Sequence, residues 1–261
     1  MTDGTRNGTI SWVDLSTPDI EGAKVFYAEL LGWELTTQST DMGDYVVGSV
    51  GGRDVAGMMA QPDEVAGQPA TWTAFVVVGD IEATLARVTE AGGSVLQPPF
   101  EIPGGAWVAV IADGSGAMLA LISGGPEPGV FFSDQVGAVC WSELMTRDPD
   151  AAETFYRSVF DWTAERSDAG DGGMEYTVFR LGEEEVAGMI RTPGHLPPEV
   201  PDSWSVYFTV ADCRATEKRA GELGGSTILG ATPTPMGPFA VLADPAGAAF
   251  QVMEIAMAPE R

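Results

Sequence analysis

The feature that most constrains this chain is a 22-residue segment that occurs twice, at Trp12–Trp33 and at Trp141–Trp162. The first copy reads WVDLSTPDIEGAKVFYAELLGW and the second reads WSELMTRDPDAAETFYRSVFDW. Nine positions are identical or chemically similar at one constant offset of 129 residues. The pairs are Trp12/Trp141, Asp14/Glu143, Leu15/Leu144, Thr17/Thr146, Asp19/Asp148, Ala23/Ala152, Phe26/Phe155, Tyr27/Tyr156 and Trp33/Trp162. So many matches at one offset indicate a duplicated module.

Each copy of the segment predicts a strand followed by a capped helix. In the first copy, Trp12 and Asp14 share one face of the alternating strand, whereas Val13 and Leu15 share the other face. Asp19 is a predicted helix N-cap, and apolar residues follow it at helical spacing until a glycine ends the helix. The apolar strand face is therefore expected to contact the helix, and Trp12 and Asp14 are expected on the opposite face of the sheet.

The same order of elements then begins again inside each half. The strand Trp72–Val78 and its match Trp204–Val210 each lead into a helix and a closing hairpin, whose turns read DGSG and DPAG. Four βαβββ units paired into two halves predict an α+β fold with concave, partial-barrel sheets. The Gly/Pro-rich stretch Ser123–Asp134 predicts a linker, and we expect one domain over residues 1–125 and a second over residues 126–261.

Composition argues against several classes of function. The net charge is −25, with 13 basic and 38 acidic residues, and it disfavours nucleic acid and anionic membranes as partners. No apolar run is long enough to cross a bilayer and the first residues are polar, so we expect a soluble protein without a signal peptide. Cys140 and Cys213 occupy unmatched positions, which predicts free thiols and a cytoplasmic location. The one histidine, His195, lies in a Pro-rich loop, which disfavours His-based triads.

The combination of strand, Asp-capped helix with FY, and D-x-x-G hairpin resembles the vicinal oxygen chelate superfamily. That superfamily includes glyoxalases, bleomycin-resistance proteins and extradiol dioxygenases. The likeness extends from about Gly8 to Ile255, and the doubled W-V-D-L…FY…GW pattern with VAGM at 55–58 and 186–189 looks like two-module glyoxalase-like proteins of actinobacteria. The resemblance implies two tandem glyoxalase-like modules that bind small molecules.

Metal enzymes of that superfamily take ligands from the first and the last strand of a unit. The matched positions hold Trp12 and Trp141 in the first strands, and Ala120 and Gln251 in the last strands. Indole and methyl side chains do not ligate divalent ions, and an amide is a weak neutral ligand. We therefore expect no catalytic metal and no cofactor at these positions. A rearranged site that uses the acids of the first strands stays open.

A carboxylate beside an indole on one strand face suits an aromatic or cationic small molecule. The structural alternative is core packing for the aromatic residues and a solvated strand rim for the acids. The candidate ligand-binding residues are Trp12, Asp14, Trp141, Glu143, Trp72, Trp204, Tyr45, Tyr176, Trp107, Phe239, Met58 and Met189.

Three functions follow from these expectations. The first is a metal-free protein that binds an aromatic or cationic molecule of antibiotic or polyketide type, for sequestration or delivery. The second is a metal-independent enzyme, such as a hydroxylation helper, cyclase or isomerase, in which Asp14 or Glu143 transfers a proton. The third is a metal-dependent glyoxalase-like lyase with displaced ligands. The sequence leaves open whether the chain is an enzyme and whether it is a monomer or a homodimer.

Overall fold

The computed structural model describes residues 7–62, 65, 67–124, 132–169 and 174–255, so residues 125–131 of the predicted linker lie outside the described ranges. These ranges form four helices and sixteen strands. The helices are α1 (Ile20–Leu31), α2 (Ile81–Glu90), α3 (Pro149–Phe160) and α4 (Cys213–Glu222). The strands are β1 (Ile10–Thr17), β2 (Glu34–Thr40), β3 (Gly43–Val50), β4 (Arg53–Ala60), β5 (Thr71–Val77), β6 (Ser94–Ile102), β7 (Ala106–Ala112), β8 (Met118–Ser123), β9 (Val139–Thr146), β10 (Thr163–Ala169), β11 (Met174–Leu181), β12 (Glu184–Arg191), β13 (Ser203–Val210), β14 (Ser226–Thr232), β15 (Phe239–Ala243) and β16 (Ala249–Glu254).

The strands form two open, eight-stranded mixed sheets with equivalent topology. Their orders are β2-β3-β4-β1-β5-β8-β7-β6 and β10-β11-β12-β9-β13-β16-β15-β14. In every βαβββ unit the first strand pairs in parallel with the last, as β1 does with β4 and β13 does with β16. The second, third and last strands of each unit pair with one another in antiparallel order, as β2, β3 and β4 do. The arrangement confirms the predicted α+β class with four βαβββ units.

Among the described residues, no helix is both long and apolar enough to cross a bilayer.

The elements divide into two compact units, and each unit takes segments from both sequence repeats. One unit contains α2, α3, β6–β8 and β10–β12, and the other contains α1, α4, β2–β4 and β14–β16. The strands β1, β5, β9 and β13 are divided between the two. The predicted domains 1–125 and 126–261 follow the repeat in the sequence, and that boundary stays a prediction.

Local sequence explains where the helices begin and end. Each helix begins after an aspartate whose side chain accepts a hydrogen bond from the backbone N–H three residues later, which satisfies one of the unpaired N–H groups of the first turn. These aspartates are Asp19, Asp80, Asp148 and Asp212. After α1, Gly32 adopts a left-handed conformation with φ 73°, which glycine reaches without strain.

A buried chain of hydrogen bonds crosses the core of one compact unit. The indole N–H of Trp72 donates to the hydroxyl of Tyr27 (2.9 Å), and that hydroxyl donates to Oδ2 of Asp244 (3.1 Å). Oδ1 of Asp244 accepts the backbone N–H groups of Ala246 and Ala248, which fixes the DPAG turn. Burial and the Asp244 carboxylate raise the pKa of Tyr27 well above its ordinary value, so the hydroxyl keeps its proton.

The other compact unit repeats this arrangement. Trp204 donates to the hydroxyl of Tyr156 (2.8 Å), which donates to Oδ2 of Asp113 (2.8 Å). We call each set of three residues a Trp–Tyr–Asp relay. In both relays the FY motif of one sequence repeat is joined to the closing turn of the other repeat. Rings surround each tyrosine, because Tyr27 contacts Phe26, Trp33, Trp72 and Phe250, and Tyr156 contacts Phe155, Phe160, Trp162, Phe179 and Trp204.

The relay predicts the effect of a one-atom change. Tyr27→Phe removes the hydroxyl and leaves the buried Trp72 N–H and Oδ2 of Asp244 without the hydrogen bonds they make to it, at about 1–3 kcal/mol per group. We expect the free energy of unfolding, measured by urea titration at 25 °C, to fall by about 3 kcal/mol. Val25→Ala on the same helix is the control, because Val25 is 61% exposed and its truncation should change stability by less than about 0.5 kcal/mol. Equal small effects in the two variants would contradict a stabilising relay.

Candidate functional site

The first repeat brings Trp12, Asp14 and Tyr45 together on one face of the first sheet. The indole N–H of Trp12 donates to Oδ1 of Asp14 (2.8 Å) and to the hydroxyl of Tyr45 (2.8 Å). The Tyr45 hydroxyl donates to the same Oδ1 (2.7 Å). Asp14 is 7% exposed, whereas Trp12 and Tyr45 are partly exposed. A buried carboxylate therefore lies between two rings that retain accessible surface, and we call this set the Asp14 cluster.

The two oxygens of Asp14 differ in their surroundings. Both hydrogen bonds end on Oδ1. Among the described residues, no group donates a hydrogen bond to Oδ2. Solvent reaches this oxygen, because it is not one of the unpartnered side-chain atoms that are sealed from solvent. Oδ2 is therefore placed to accept a hydrogen bond from a ligand, to pair with a cation or to exchange a proton.

Burial sets the charge state of this cluster. It raises the pKa of Asp14 to about 6, and the hydrogen bonds from Tyr45 and Trp12 offset only part of that effect. Burial and the Asp14 carboxylate also raise the pKa of Tyr45, so its hydroxyl remains a donor. Asp14 is consequently a carboxylate at neutral pH and becomes protonated just below it.

A glycine makes room for the cluster. Gly57 lies directly opposite Asp14 in the register of β1 and β4. A Cβ atom at Gly57 would lie 1.9 Å from the Tyr45 hydroxyl and 2.1 Å from Oδ1 of Asp14, which is impossible without displacing both. The glycine of the first VAGM sequence is thus required by the close approach of these side chains.

The second repeat places the matched acid in the same register. Glu143 is 6% exposed and lies opposite Gly188, the glycine of the second VAGM sequence. Tyr176 is partly exposed on β11, where it pairs with Ile190 of β12. Trp141 is partly exposed, and its ring centroid lies 5.6 Å from that of Phe132.

Two predicted site tryptophans lie in the core. Trp72 and Trp204 are 5% and 8% exposed, and their indole N–H groups are used in the relays. Trp72 and Trp204 lie near the start of β5 and β13. Each donates its indole N–H to a tyrosine that the sequence predicted only as part of a helix core. The sequence order alone does not show that these side chains share one buried face.

The predicted methionines lie on the opposite strand face from the acids. Met58 pairs with Leu15 and is fully buried, and Met189 pairs with Leu144 and is 1% exposed. The neighbour on the Asp14 side is Met59, which is partly exposed and lies opposite Tyr45. Alternation along β4 from Gly57 would have identified Met59, because residues two apart share a strand face.

The remaining two candidates lie on the closing hairpins. Trp107 is 44% exposed on β7, where it pairs with Ser123 of β8. Phe239 is partly exposed on β15, and its ring centroid lies 6.5 Å from that of Tyr207. Both side chains retain surface that a ligand could contact.

The donor set at the family's metal positions does not fit a divalent cation. The indole nitrogen of Trp12 carries a hydrogen that it donates to Asp14 and Tyr45, so it has no lone pair for a metal. Ala120, in the last strand, is 1% exposed and offers no donor atom. Within the described ranges, no group of three or more His, Cys, Asp and Glu side chains is placed to form a displaced site. Trp12 and Ala120 therefore do not supply the ligands that a divalent cation requires.

Comparison with known families identifies the class of this fold and site. Residues 9–121 match the model of the Glyoxalase/Bleomycin resistance protein/Dioxygenase superfamily, and residues 138–253 match that of a Glyoxalase-like domain. The chain belongs to this superfamily, as its sequence predicted.

Individual proteins of known sequence are similar to this chain over almost its full length. The chain is 35% identical to "Putative glyoxylase CFP32" of Mycobacterium tuberculosis, over 95% of each chain. It is 35% identical to "Anthracycline biosynthesis protein DauV" of a Streptomyces species, over 95% of this chain and 94% of that protein.

Solved structures share the fold at low identity. The Mn(II)-bound glyoxalase from Novosphingobium aromaticivorans superposes with a TM-score of 0.61 at 16% identity, covering 95% of this chain and 82% of the other. The 2,3-dioxygenase LapB from Pseudomonas sp. KL28 gives a TM-score of 0.64 at 15% identity, covering 98% and 96%.

The raised pKa of Asp14 predicts a pH dependence of stability. The folded-state pKa rises from an ordinary 3.8 to about 6, so the folded state holds this proton more tightly than the unfolded state. The wild type should therefore lose stability as pH rises from about 4 to about 6 and then level off. Asp14→Asn keeps an oxygen acceptor for Trp12 and Tyr45 but does not titrate.

We expect the variant to gain stability relative to the wild type across that window, by up to about 3 kcal/mol above pH 6. Urea titrations of both proteins from pH 4 to pH 8 measure the difference. Two curves that stay parallel throughout would show that Asp14 does not titrate in this range.

Proposed function

We propose that this chain binds a small aromatic or cationic molecule of antibiotic or polyketide type at the Asp14 cluster, for sequestration or delivery. The observation that carries the proposal is the Asp14 carboxylate itself. It is 7% exposed, it is held on Oδ1 by Trp12 and Tyr45, and its Oδ2 is left for a ligand. The buried turn aspartate Asp244, in contrast, has both of its oxygens paired within the fold.

The chemistry of the cluster favours a planar cation. Oδ2 supplies a negative charge near neutral pH, and the partly exposed ring of Trp12 supplies a face for stacking and for cation–π attraction. The net charge of −25 raises the concentration of cations around the protein. The similarity to the anthracycline biosynthesis protein DauV makes an anthracycline that carries an amine the first probe to use.

Binding of a cationic anthracycline tests the proposal. We expect saturable quenching of tryptophan fluorescence at pH 7.5, confirmed by calorimetry, and a loss of about 10- to 100-fold in affinity in Asp14→Asn, because a charge-assisted hydrogen bond is removed. Wild-type affinity should also fall as pH drops through about 6, because protonation removes the charge of Asp14.

Asp41→Asn is the matched control. It removes the same charge from the exposed turn between β2 and β3, so affinity should be unchanged. No saturable binding by the wild type, or equal losses in the two variants, would contradict a site at the Asp14 cluster.

The pKa of Asp14 also favours a second candidate, a metal-independent enzyme at the same cluster. General acid–base catalysis is most effective when the pKa lies near the working pH, and a value of about 6 meets that condition. Mass spectrometry of an aromatic polyketide after incubation with the wild type and with Asp14→Asn separates the two functions. Conversion by the wild type that is lost in the variant supports an enzyme, and equal conversion by both would exclude proton transfer by Asp14.

A further inference from the structure

The hydroxyl of Tyr45 reaches Asp14 from two strands away. In the order of the first sheet, β4 lies between β3, which carries Tyr45, and β1, which carries Asp14. Two strand spacings amount to about 10 Å, a distance that only a long side chain can bridge. The hydrogen bond of 2.7 Å from Tyr45 to Oδ1 of Asp14 is therefore made across an intervening strand.

The intervening strand has no side chain at the crossing point. Gly57 of β4 lies opposite Asp14 on one side and opposite Val47 on the other. Gly57 does not have a positive φ, so its backbone conformation does not require glycine. A Cβ atom there would lie 1.9 Å from the Tyr45 hydroxyl. The crossing tyrosine, rather than the backbone, explains why this position holds a glycine.

The core places β3 independently of the cluster. A Cβ atom at Gly48 would lie 2.5 Å from the ring of Trp33, so β3 lies directly against this buried indole. Trp33 is itself held by the hydrogen bond that it donates to the carbonyl of Gly137 (2.7 Å). The start of the Tyr45 side chain is thus fixed by the core, and its hydroxyl meets Asp14 without the help of a ligand.

The hydrogen bonds of the Tyr45 hydroxyl run in one direction only. An indole N–H can only donate and a carboxylate can only accept. The hydroxyl therefore accepts from Trp12 (2.8 Å) and gives its one hydrogen to Oδ1 of Asp14 (2.7 Å). This pair of bonds fixes the rotation of the carboxyl group, with Oδ1 toward the two rings and Oδ2 away from them.

Charged side chains do not share this role. The titratable residues of the neighbouring strands are Arg53 and Asp54 of β4 and Asp44 and Tyr45 of β3, and β5 has none. Asp44 accepts a hydrogen bond from Ser39, and Asp54 contributes to the raised pKa of Tyr45. Burial raises the pKa of Asp14, the hydrogen bonds from Tyr45 and then Trp12 lower it, and no charge in the described part of the chain is among the causes.

We propose that Tyr45 is the positioning residue of the Asp14 cluster, whose hydroxyl holds Oδ1 so that Oδ2 faces the ligand and the carboxylate keeps its charge at neutral pH. This role rests on the function proposed above for Asp14. Tyr45 acts through Asp14, because a hydrogen bond donated to a carboxylate stabilises its ionised form. Without the hydroxyl, Asp14 should hold its proton to higher pH.

NMR of the ligand-free protein, labelled at the aspartate carboxyl carbons, tests the positioning by itself. The signal that is absent from Asp14→Asn identifies Asp14. We expect its titration midpoint near pH 6 in the wild type and about 1–2 pH units higher in Tyr45→Phe. An unchanged or lower midpoint, or a Tyr45→Phe protein that does not fold, would overturn the proposal.

Two further variants check the cause of the shift. Gly57→Ala retains Tyr45 but puts a methyl group where its hydroxyl lies, so the Asp14 midpoint should also rise. Ser39→Ala is the control, because it removes an exposed hydroxyl that donates to Asp44 on the same pair of strands (2.7 Å), and it should leave the midpoint unchanged. No rise in Gly57→Ala, or an equal rise in Ser39→Ala, would contradict a specific role of the Tyr45 hydroxyl.

Binding of ethidium, a planar aromatic cation whose charge does not change with pH, connects the positioning to the site. Wild-type affinity should fall as pH drops through about 6. In Tyr45→Phe the same curve should lie about 1–2 pH units higher and reach the wild-type affinity by pH 9. A loss of affinity that persists at pH 9 would mean that Tyr45 contacts the ligand directly, and it would overturn the positioning role.

The ligand-free titration and the ethidium titration separate the two roles. A shifted carboxyl midpoint in Tyr45→Phe, with no ethidium binding by either protein, would contradict binding at Asp14 and support the control of Asp14 by Tyr45. Ethidium binding by the wild type, with a midpoint that does not move in Tyr45→Phe, would support the binding site and overturn the role of Tyr45.

Discussion

The Trp–Tyr–Asp relay is the interaction on which the rest of this structure depends. Tyr27 and Tyr156 are almost fully buried, and each hydroxyl both accepts from an indole and donates to a carboxylate. A buried hydroxyl that loses either partner is costly, so each relay fixes a helix, the tryptophan of β5 or β13 and a closing turn in one arrangement. This explains why FY and the turn aspartate recur together in the two repeats, although they lie far apart in the chain.

The alternation of side chains along β1 then separates the core from the candidate site. Val13 and Leu15 are fully buried on one face of β1, while Trp12 and Asp14 form the cluster on the other. A slip of one residue would exchange the two faces, so the apolar face that contacts the core also fixes where the carboxylate points. The raised pKa of Asp14 follows from its burial on that other face, where Trp12 and Tyr45 lie against the carboxylate.

Features that depend on neighbouring residues could be predicted from the sequence, whereas contacts between residues far apart in the chain could not. Helix caps, strand faces and the four βαβββ units follow from spacing within a few residues, and the structure confirms them. The partner of Trp72 is Tyr27, 45 residues away, and no local pattern shows that this indole is used in the core. The choice between Met58 and Met59 is of the same kind, because alternation places Met59 on the Asp14 face only once Gly57 is known to lie opposite Asp14.

The two repeats differ where the fold permits it. The relay residues are the same in both copies, because a change in any one of them leaves a buried partner unpaired. At the matched last-strand position no such constraint exists, and the copies hold Ala120 and Gln251, both buried. Replacing a methyl group by an amide whose oxygen has no hydrogen-bond partner among the described residues costs stability, so the fold itself gives no reason to retain Gln251. The two repeats therefore differ at a buried position where the pairing of the strands is the same, as Ala120 pairs with Phe75 and Gln251 pairs with Tyr207.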